Sequence, residues 1–194
     1  PNTMSMEFNW LTFNGKSGPA ATPMLVKQGE RVRVRLVNLG MDHHPIHIHG
    51  NQFVVTGTEG GWIPEVQWHP QNTVLVGVGQ ARNIEFDAKY VGDWMMHCHM
   101  PHHMIKQMVS MAGPMAPSAH AKMMSSSTIG LYPVDDAAKK AIPGYPQDMW
   151  MPMDDMFEKP ETFGLRKGWT GAMMGMMTIV RVLPPDLYDE IQRR

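Results

Sequence analysis

This chain of 194 residues predicts an all-β fold, a Greek-key barrel or sandwich assembled from many short strands. Three observations lead there. Short runs alternate apolar and polar residues, turn residues punctuate them at close spacing, and no long helical periodicity interrupts residues 4 to about 100. The first run, Phe8-Asn9-Trp10-Leu11-Thr12-Phe13, ends at the turn-forming pair Asn14-Gly15. Arg31-Val32-Arg33-Val34-Arg35-Leu36-Val37 alternates strictly, so Val32, Val34 and Leu36 face a core and the arginines face out. Gln52-Phe53-Val54-Val55-Thr56, Thr73-Val74-Leu75-Val76-Gly77-Val78 and Asn83-Ile84-Glu85-Phe86 follow the same pattern.

After Ser110 the character changes. Gly, Pro, Ser and Met dominate to about Gly168, with Met149-Trp150-Met151-Pro152-Met153 at the centre. A stretch of that length without periodicity is usually a functional excursion or disorder. Met176-Met177-Thr178-Ile179-Val180-Arg181-Val182-Leu183 then restores a strand pattern before Pro184-Pro185. The expected division is a β core over 1–110, a Met/Pro/Gly-rich irregular insertion over 111–168, and a final strand with a C-terminal tail over 169–194.

Composition narrows the function classes. A net charge of -1 and no basic stripe argue against a nucleic-acid binder. No apolar run approaches the roughly 20 residues that cross a bilayer, so no membrane span is expected. The first residues, Pro1-Asn2-Thr3-Met4, lack the regions of a signal peptide, which places any export signal outside this chain. Cys98 is the single cysteine, so no internal disulfide can form and its thiol is either packing or chemistry.

Two segments hold eight of the ten histidines and decide for chemistry. They are His43-His44-Pro45-Ile46-His47-Ile48-His49-Gly50 and Trp94-Met95-Met96-His97-Cys98-His99-Met100-Pro101-His102-His103-Met104, followed by Met108. If both are strands, period-two geometry puts His47 and His49 on one face, and His97 and His99 on one face with Cys98 on the other. Two metal sites follow. His44, Cys98 and His103, with Met108 as a weak axial thioether, make the donor set of an electron-transfer blue copper centre. His47, His49, His97 and His99 would form a second site. Cys98 is covalently continuous with His97 and His99, which gives an electron a short bonded path between them, so these three are the candidate catalytic residues. A lone histidine on a strand is more often structural than a ligand, but here spacing, parity and the accompanying thiol agree. Structural zinc, the rival metal, usually shows paired Cys-x-x-Cys or Cys/His sets, and none is present.

His-Pro-x-His-x-His-Gly followed by His-Cys-His-x-x-x-His-x-x-x-x-Met resembles the two C-terminal copper motifs of the laccase-like multicopper oxidases, over about the first 110 residues. That resemblance implies a cupredoxin domain. It also implies that His44, Cys98, His103 and Met108 bind type 1 copper, that His47 is a type 2 ligand, and that His49, His97 and His99 are type 3 ligands. The family oxidises a small reducing substrate and reduces dioxygen to water at a trinuclear cluster, and it implies an exported, periplasmic or secreted protein. Two departures stand out. Asn51 occupies the place where the family usually has a further histidine, and the chain lacks the additional His-x-His motifs that complete the cluster. This chain is therefore expected to hold type 1 copper and half of the type 2/type 3 cluster, the rest coming from an N-terminal cupredoxin domain or a second chain. His43, His69, His102 and His120 are expected at the surface or behind ligands.

Twelve of the 21 methionines follow Met108. Met176 and Met177 suit a core, while Met149, Met151, Met153 and Met156 also suit Cu(I) capture by soft thioethers. Met-rich insertions are similar to those of the cuprous oxidases in the family, so the reducing substrate is expected to be Cu(I) or phenol-like. Asp154 and Asp155 are candidates to help hold a cation, Asp93 to support a ligand histidine, and Trp68 and Trp94 to pack around the sites. The competing functions are a single-copper electron carrier, for which four extra histidines have no use, and a periplasmic copper-buffering protein.

Overall fold

The computed structural model describes residues 11–100, 103–104 and 154–194. Among these residues nine strands make two sheets: β1 (Met24–Lys27), β2 (Arg31–Val37), β3 (His44–Ile48), β4 (Val54–Thr58), β5 (Gly61–Trp62), β6 (Thr73–Val76), β7 (Ala81–Asp87), β8 (Gly92–Cys98) and β9 (Met177–Leu183). One sheet runs β1-β9-β8-β3-β6 and the other β2-β7-β4-β5. Sequence neighbours such as β1 and β2, or β6 and β7, lie in different sheets, so the chain crosses repeatedly between two layers. Among the described residues only β1 and β9 pair in parallel; the other pairings are antiparallel. The protein is an all-β cupredoxin-type sandwich.

Alternation produces these layers. In β2 the arginines are exposed while Leu36 is buried. In β3 His44, Ile46 and Ile48 are buried and Pro45 and His47 are only partly so. The inward residues meet in one core that includes Ile46, Ile48, Phe53, Val76, Ile84, Phe86, Met96, Cys98, Val180 and Val182. Each such side chain contributes about 1.5–3 kcal/mol on burial. That core makes the sandwich rigid enough to hold polar groups at its edge.

Several expectations need correcting in detail. Of Phe8–Phe13, residues 8–10 lie outside the described residues, and Phe13 makes one bridge to Lys16 across Asn14-Gly15, whose φ angles are 50° and 76°. β1 and β5 had no alternation to reveal them, being four and two residues long. The C-terminal tail is an eight-residue helix, α1 (Pro185–Gln192). Pro184-Pro185 both ends β9 and opens α1, since a proline in the first helical turn sacrifices no hydrogen bond. Lys27 holds α1 to β1 through Asp189 at 2.9 Å.

Part of the stretch read as irregular is built from 3-10 turns at Asp154–Phe157, Pro160–Thr162 and Trp169–Ala172. Asp154 is no free cation ligand. Its carboxylate accepts from the Gly168 N–H at 2.6 Å, the Thr170 N–H at 3.3 Å and the Thr170 hydroxyl at 2.7 Å. Met149, Met151 and Met153 lie outside the described residues. Met173, Met176 and Met177 are buried, and Met173 and Met177 form a second apolar cluster with Ile179, packed by Met95, Met104, Leu165, Trp169 and Met174. This segment roofs the outer side of β9, which is buried along its whole length.

Arg181, 1% exposed, pins the roof in place. Its Nε donates to Asp93 at 2.7 Å, and Nη1 donates to the carbonyls of Glu161 and Phe163 at 2.8 Å each. Asp93, expected beside a ligand histidine, serves Arg181 instead. A buried guanidinium is tolerated only when its donors are used, and three are used here.

On the other sheet, Glu85 ties β7 to β2. It accepts from Arg31 and Arg33 at 2.8 Å each and from the Thr56 hydroxyl at 2.9 Å. Burial pushes its carboxyl up, but those bonds together outweigh burial and hold it at about 2. The unfolded group ionises near 4.5. Stabilisation by Glu85 is therefore complete above about pH 4.5 and lost as pH falls from there towards 2. Such a shift corresponds to about 3 kcal/mol at most, and solvent around the half-exposed arginines reduces it to about 1–2 kcal/mol. Denaturant titration of Glu85→Gln is expected to show a loss of that size at pH 7 that shrinks by pH 3; an unchanged difference between the two pH values would remove this role.

Candidate metal centre

β3 and β8 are adjacent and antiparallel, with Ile46 opposite Cys98 and His47 opposite His97. Beyond the ladder, His49 N–H bonds to the Met95 carbonyl and His99 N–H to the Pro45 carbonyl, both within 2.9 Å, so the extended backbone continues past both strand ends. Pleating then sorts the side chains: Cys98 points between the sheets, and His97 and His99 point to the outer face. His103 follows in a turn closed by its own N–H to the Met100 carbonyl at 2.9 Å. Gly175 presses against that turn: a Cβ there would stand 2.4 Å from Met104 backbone atoms and 2.7 Å from the His103 carbonyl.

The inner group is His44, Cys98 and His103. The two Nδ1 atoms lie 3.2 Å apart, Cys98 Sγ lies 3.2 Å from His103 Nδ1 and 3.8 Å from His44 Nδ1. Cys98 and His103 are fully buried and His44 nearly so. A first-row ion holds imidazole nitrogen and thiolate sulfur at about 2.0–2.3 Å, which sets three surrounding donors about 3.5–4 Å apart. The observed triangle matches to within a few tenths of an ångström. Burial pushes the Cys98 thiol up and the His44 imidazolium down. A soft sulfur with two imidazoles fits copper. Met108, the expected axial ligand, lies outside the described residues, as do His102 and His120.

The outer group is His47, His49 and His97, whose nitrogens lie within 4.8 Å of one another. His49 Nε2 and His97 Nε2 are 3.0 Å apart. His99 stays in ring contact with His47 and His97, at centroid separations of 5.3 and 5.6 Å, without joining that close nitrogen set. His97 Nδ1 donates to the Cys98 carbonyl at 2.9 Å, which leaves Nε2 as the lone-pair nitrogen. Burial first, and the neighbouring imidazoles second, push the His47 ring below the usual histidine range; burial does the same for His97. Neutral, converging imidazoles are what a metal requires.

Other sequence candidates fall elsewhere. His43 accepts from the Val78 N–H at 3.2 Å, and His69 is exposed. Asn51 is buried and donates to the His49 carbonyl at 3.2 Å, so it shapes the turn after the motif. Gly50, with φ +65°, fits under Trp94, where a Cβ would stand 2.2 Å from the ring. Trp68 packs under Arg31. Two residues that the sequence did not mark belong to the sites. Asp42 sits 3.8 Å from His103 Nε2, and Thr73 meets His47 at 2.9 Å. The first lies two residues before His44 and was open to notice; the second is visible only through the pairing of β3 with β6.

The chain is similar to known proteins over its first half. The family model described as multicopper oxidase matches residues 1–112. Copper resistance protein A of Escherichia coli is 36% identical over 98 residues, covering 50% of this chain and 15% of that protein. Multicopper oxidase MmcO of Mycobacterium tuberculosis is 31% identical over 104 residues, covering 54% of this chain and 19% of that protein. The blue copper oxidase from Nitrosomonas europaea has a similar structure, with a TM-score of 0.45 at 32% identity over 47% of this chain and 28% of that one. The match thus spans less than a fifth of the length of these curated relatives. With more than half of its residues inside the family model and a copper-type donor set on adjacent strands, this chain belongs to the multicopper oxidase family, of which it carries a copper-binding cupredoxin domain.

Proposed function

We propose that the chain is the C-terminal part of a laccase-like multicopper oxidase that takes electrons from a small reducing substrate, Cu(I) or phenol-like, and delivers them to dioxygen. His44, Cys98 and His103 would hold type 1 copper, with Met108 as a further thioether donor; His47 would be the type 2 ligand, and His49, His97 and His99 type 3 ligands. Copper bound at these groups supplies one-electron redox chemistry and the reduction of dioxygen to water. Cys98 carries the proposal, because it alone belongs to the inner group by its side chain and to the outer group by its backbone.

Each residue has a physical task. Burial shields Cys98 from water as a competing partner, and its thiol must lose its proton to act as a thiolate ligand. The Cys98 carbonyl accepts from His97, giving a hydrogen-bonded route beside the covalent one between the two groups. Asp42, half-buried at the surface, offers a carboxylate 3.8 Å from His103 Nε2, where a cationic or hydroxyl-bearing reductant would dock. The outer group offers one side of a cluster; an N-terminal cupredoxin domain or a second chain would supply the other side. Among the described residues no helix is long and apolar enough to cross a membrane. A periplasmic or secreted setting follows from the family. A single-copper carrier remains the second proposal for the chain by itself, since the inner group is complete in its nitrogen and sulfur donors without a partner.

Three outcomes test this. Copper-loaded protein is expected to absorb intensely in the visible through Cys98, and Cys98→Ser to lose that band entirely; a persisting band would sink the assignment. Copper retention by the outer group should stay level as pH falls to the ordinary histidine value of 6.5 and decline only below it, because His47 and His97 resist protonation. Loss of outer-group copper already above pH 6.5 would contradict this account. In the complete oxidase, Asp42→Asn is expected to lower kcat/KM for a cationic reductant about tenfold, a barrier change of roughly 1.4 kcal/mol, while the visible band stays. Equal loss for a neutral reductant would show that Asp42 does not act through its charge.

A further inference from the structure

Thr73, on the edge strand β6, faces the His47 ring: its Oγ1 lies 2.9 Å from Nδ1. The same hydroxyl donates to the Asn72 side-chain carbonyl at 3.0 Å. A hydroxyl has one proton, and a side-chain carbonyl oxygen can only accept. With that proton committed to Asn72, Thr73 presents lone pairs to His47, and Nδ1 must carry the proton. Since a neutral imidazole has one N–H, Nε2 is left bare, and Nε2 is the atom His47 can offer to the group with His49 and His97.

We infer that Thr73 and Asn72 are positioning residues that fix the tautomer and ring orientation of His47, so that its Nε2 lone pair is set towards the outer histidine group before any metal arrives. This rests on the proposed ligand role of His47. His97 is oriented in a parallel way by the Cys98 carbonyl. The two rings come from neighbouring strands, yet each has its Nδ1 proton claimed by an oxygen on the protein. Partners of this kind behind ligating histidines usually change metal affinity about 10–100-fold when removed.

Long-range proton–nitrogen NMR on the metal-free full chain, labelled at histidine and held above pH 7, reads the tautomer directly. His47 is expected to be protonated at Nδ1 in the native chain and in Thr73→Ser, and to shift towards the Nε2-protonated form in Thr73→Val. A native His47 protonated at Nε2 overturns the inference whether or not a variant folds, as does a Thr73→Val tautomer identical to the native one. In the complete oxidase, Thr73→Val should give up copper from the outer group to a chelator about 10–100-fold more readily, with the visible band of the inner group unchanged. Equal retention in both proteins, with the band present, removes the positioning role alone. Absence of the band from both removes the function proposed above.

Discussion

Successive side chains on a β-strand leave opposite faces of the sheet, and at Cys98 this constraint governs the whole site. Because Cys98 is directed between the layers, His97 is forced outward, and the peptide joining them becomes part of both groups. The opposing strand obeys the same parity: His44 and Ile46 turn inward, His47 and His49 outward. Neither group would exist if β3 slipped by one residue against β8, since a slip of one exchanges the faces. Ile46 and Ile48 hold the register of β3 within the core that contains Met96 and Val180, because both would have to leave that core for a slip to occur. Apolar burial thus sets where polar chemistry happens, although no apolar residue takes part in it.

Much of this was legible in the chain before any coordinates. Alternation in Arg31–Val37 gave a strand and its inward face, and spacing within the two histidine segments placed their side chains on the correct sides. What alternation cannot reveal is short or long-range. β1 and β5 are too short to show a period, and α1 follows a proline pair that reads as a stop from either direction. The uses of Asp93 and Asp154 depend on partners 88 and 14–16 residues away, so their carboxylates looked available when each was already occupied. Thr73 shows the same blindness in the site itself: nothing near residue 73 points to His47 until β3 and β6 are seen side by side.

The motif glycine illustrates how a conserved-looking pattern can mix roles. Histidines of His-Pro-x-His-x-His-Gly present donors, whereas Gly50 contributes only space and a left-handed turn beneath Trp94. Trp94 in turn belongs to β8, four positions ahead of Cys98, and its indole donates to the Tyr90 carbonyl. The two metal-facing segments are therefore locked together at the end away from the inner group as well as along their ladder.

The roof over β9 has a consequence for assembly. Arg181 and the Met173, Met177 and Ile179 cluster close off the β9 half of the outer sheet surface, whereas His49 and His99 stand exposed beside it. The sheet is thus a two-sided landing ground with one side already taken. Among the described residues, the way left open to a protein that meets the exposed imidazoles is over β3 and β6, and the buried guanidinium marks the boundary of the covered side. Steric exclusion by these residues narrows the approach, a form of orientation control that needs no attraction at all.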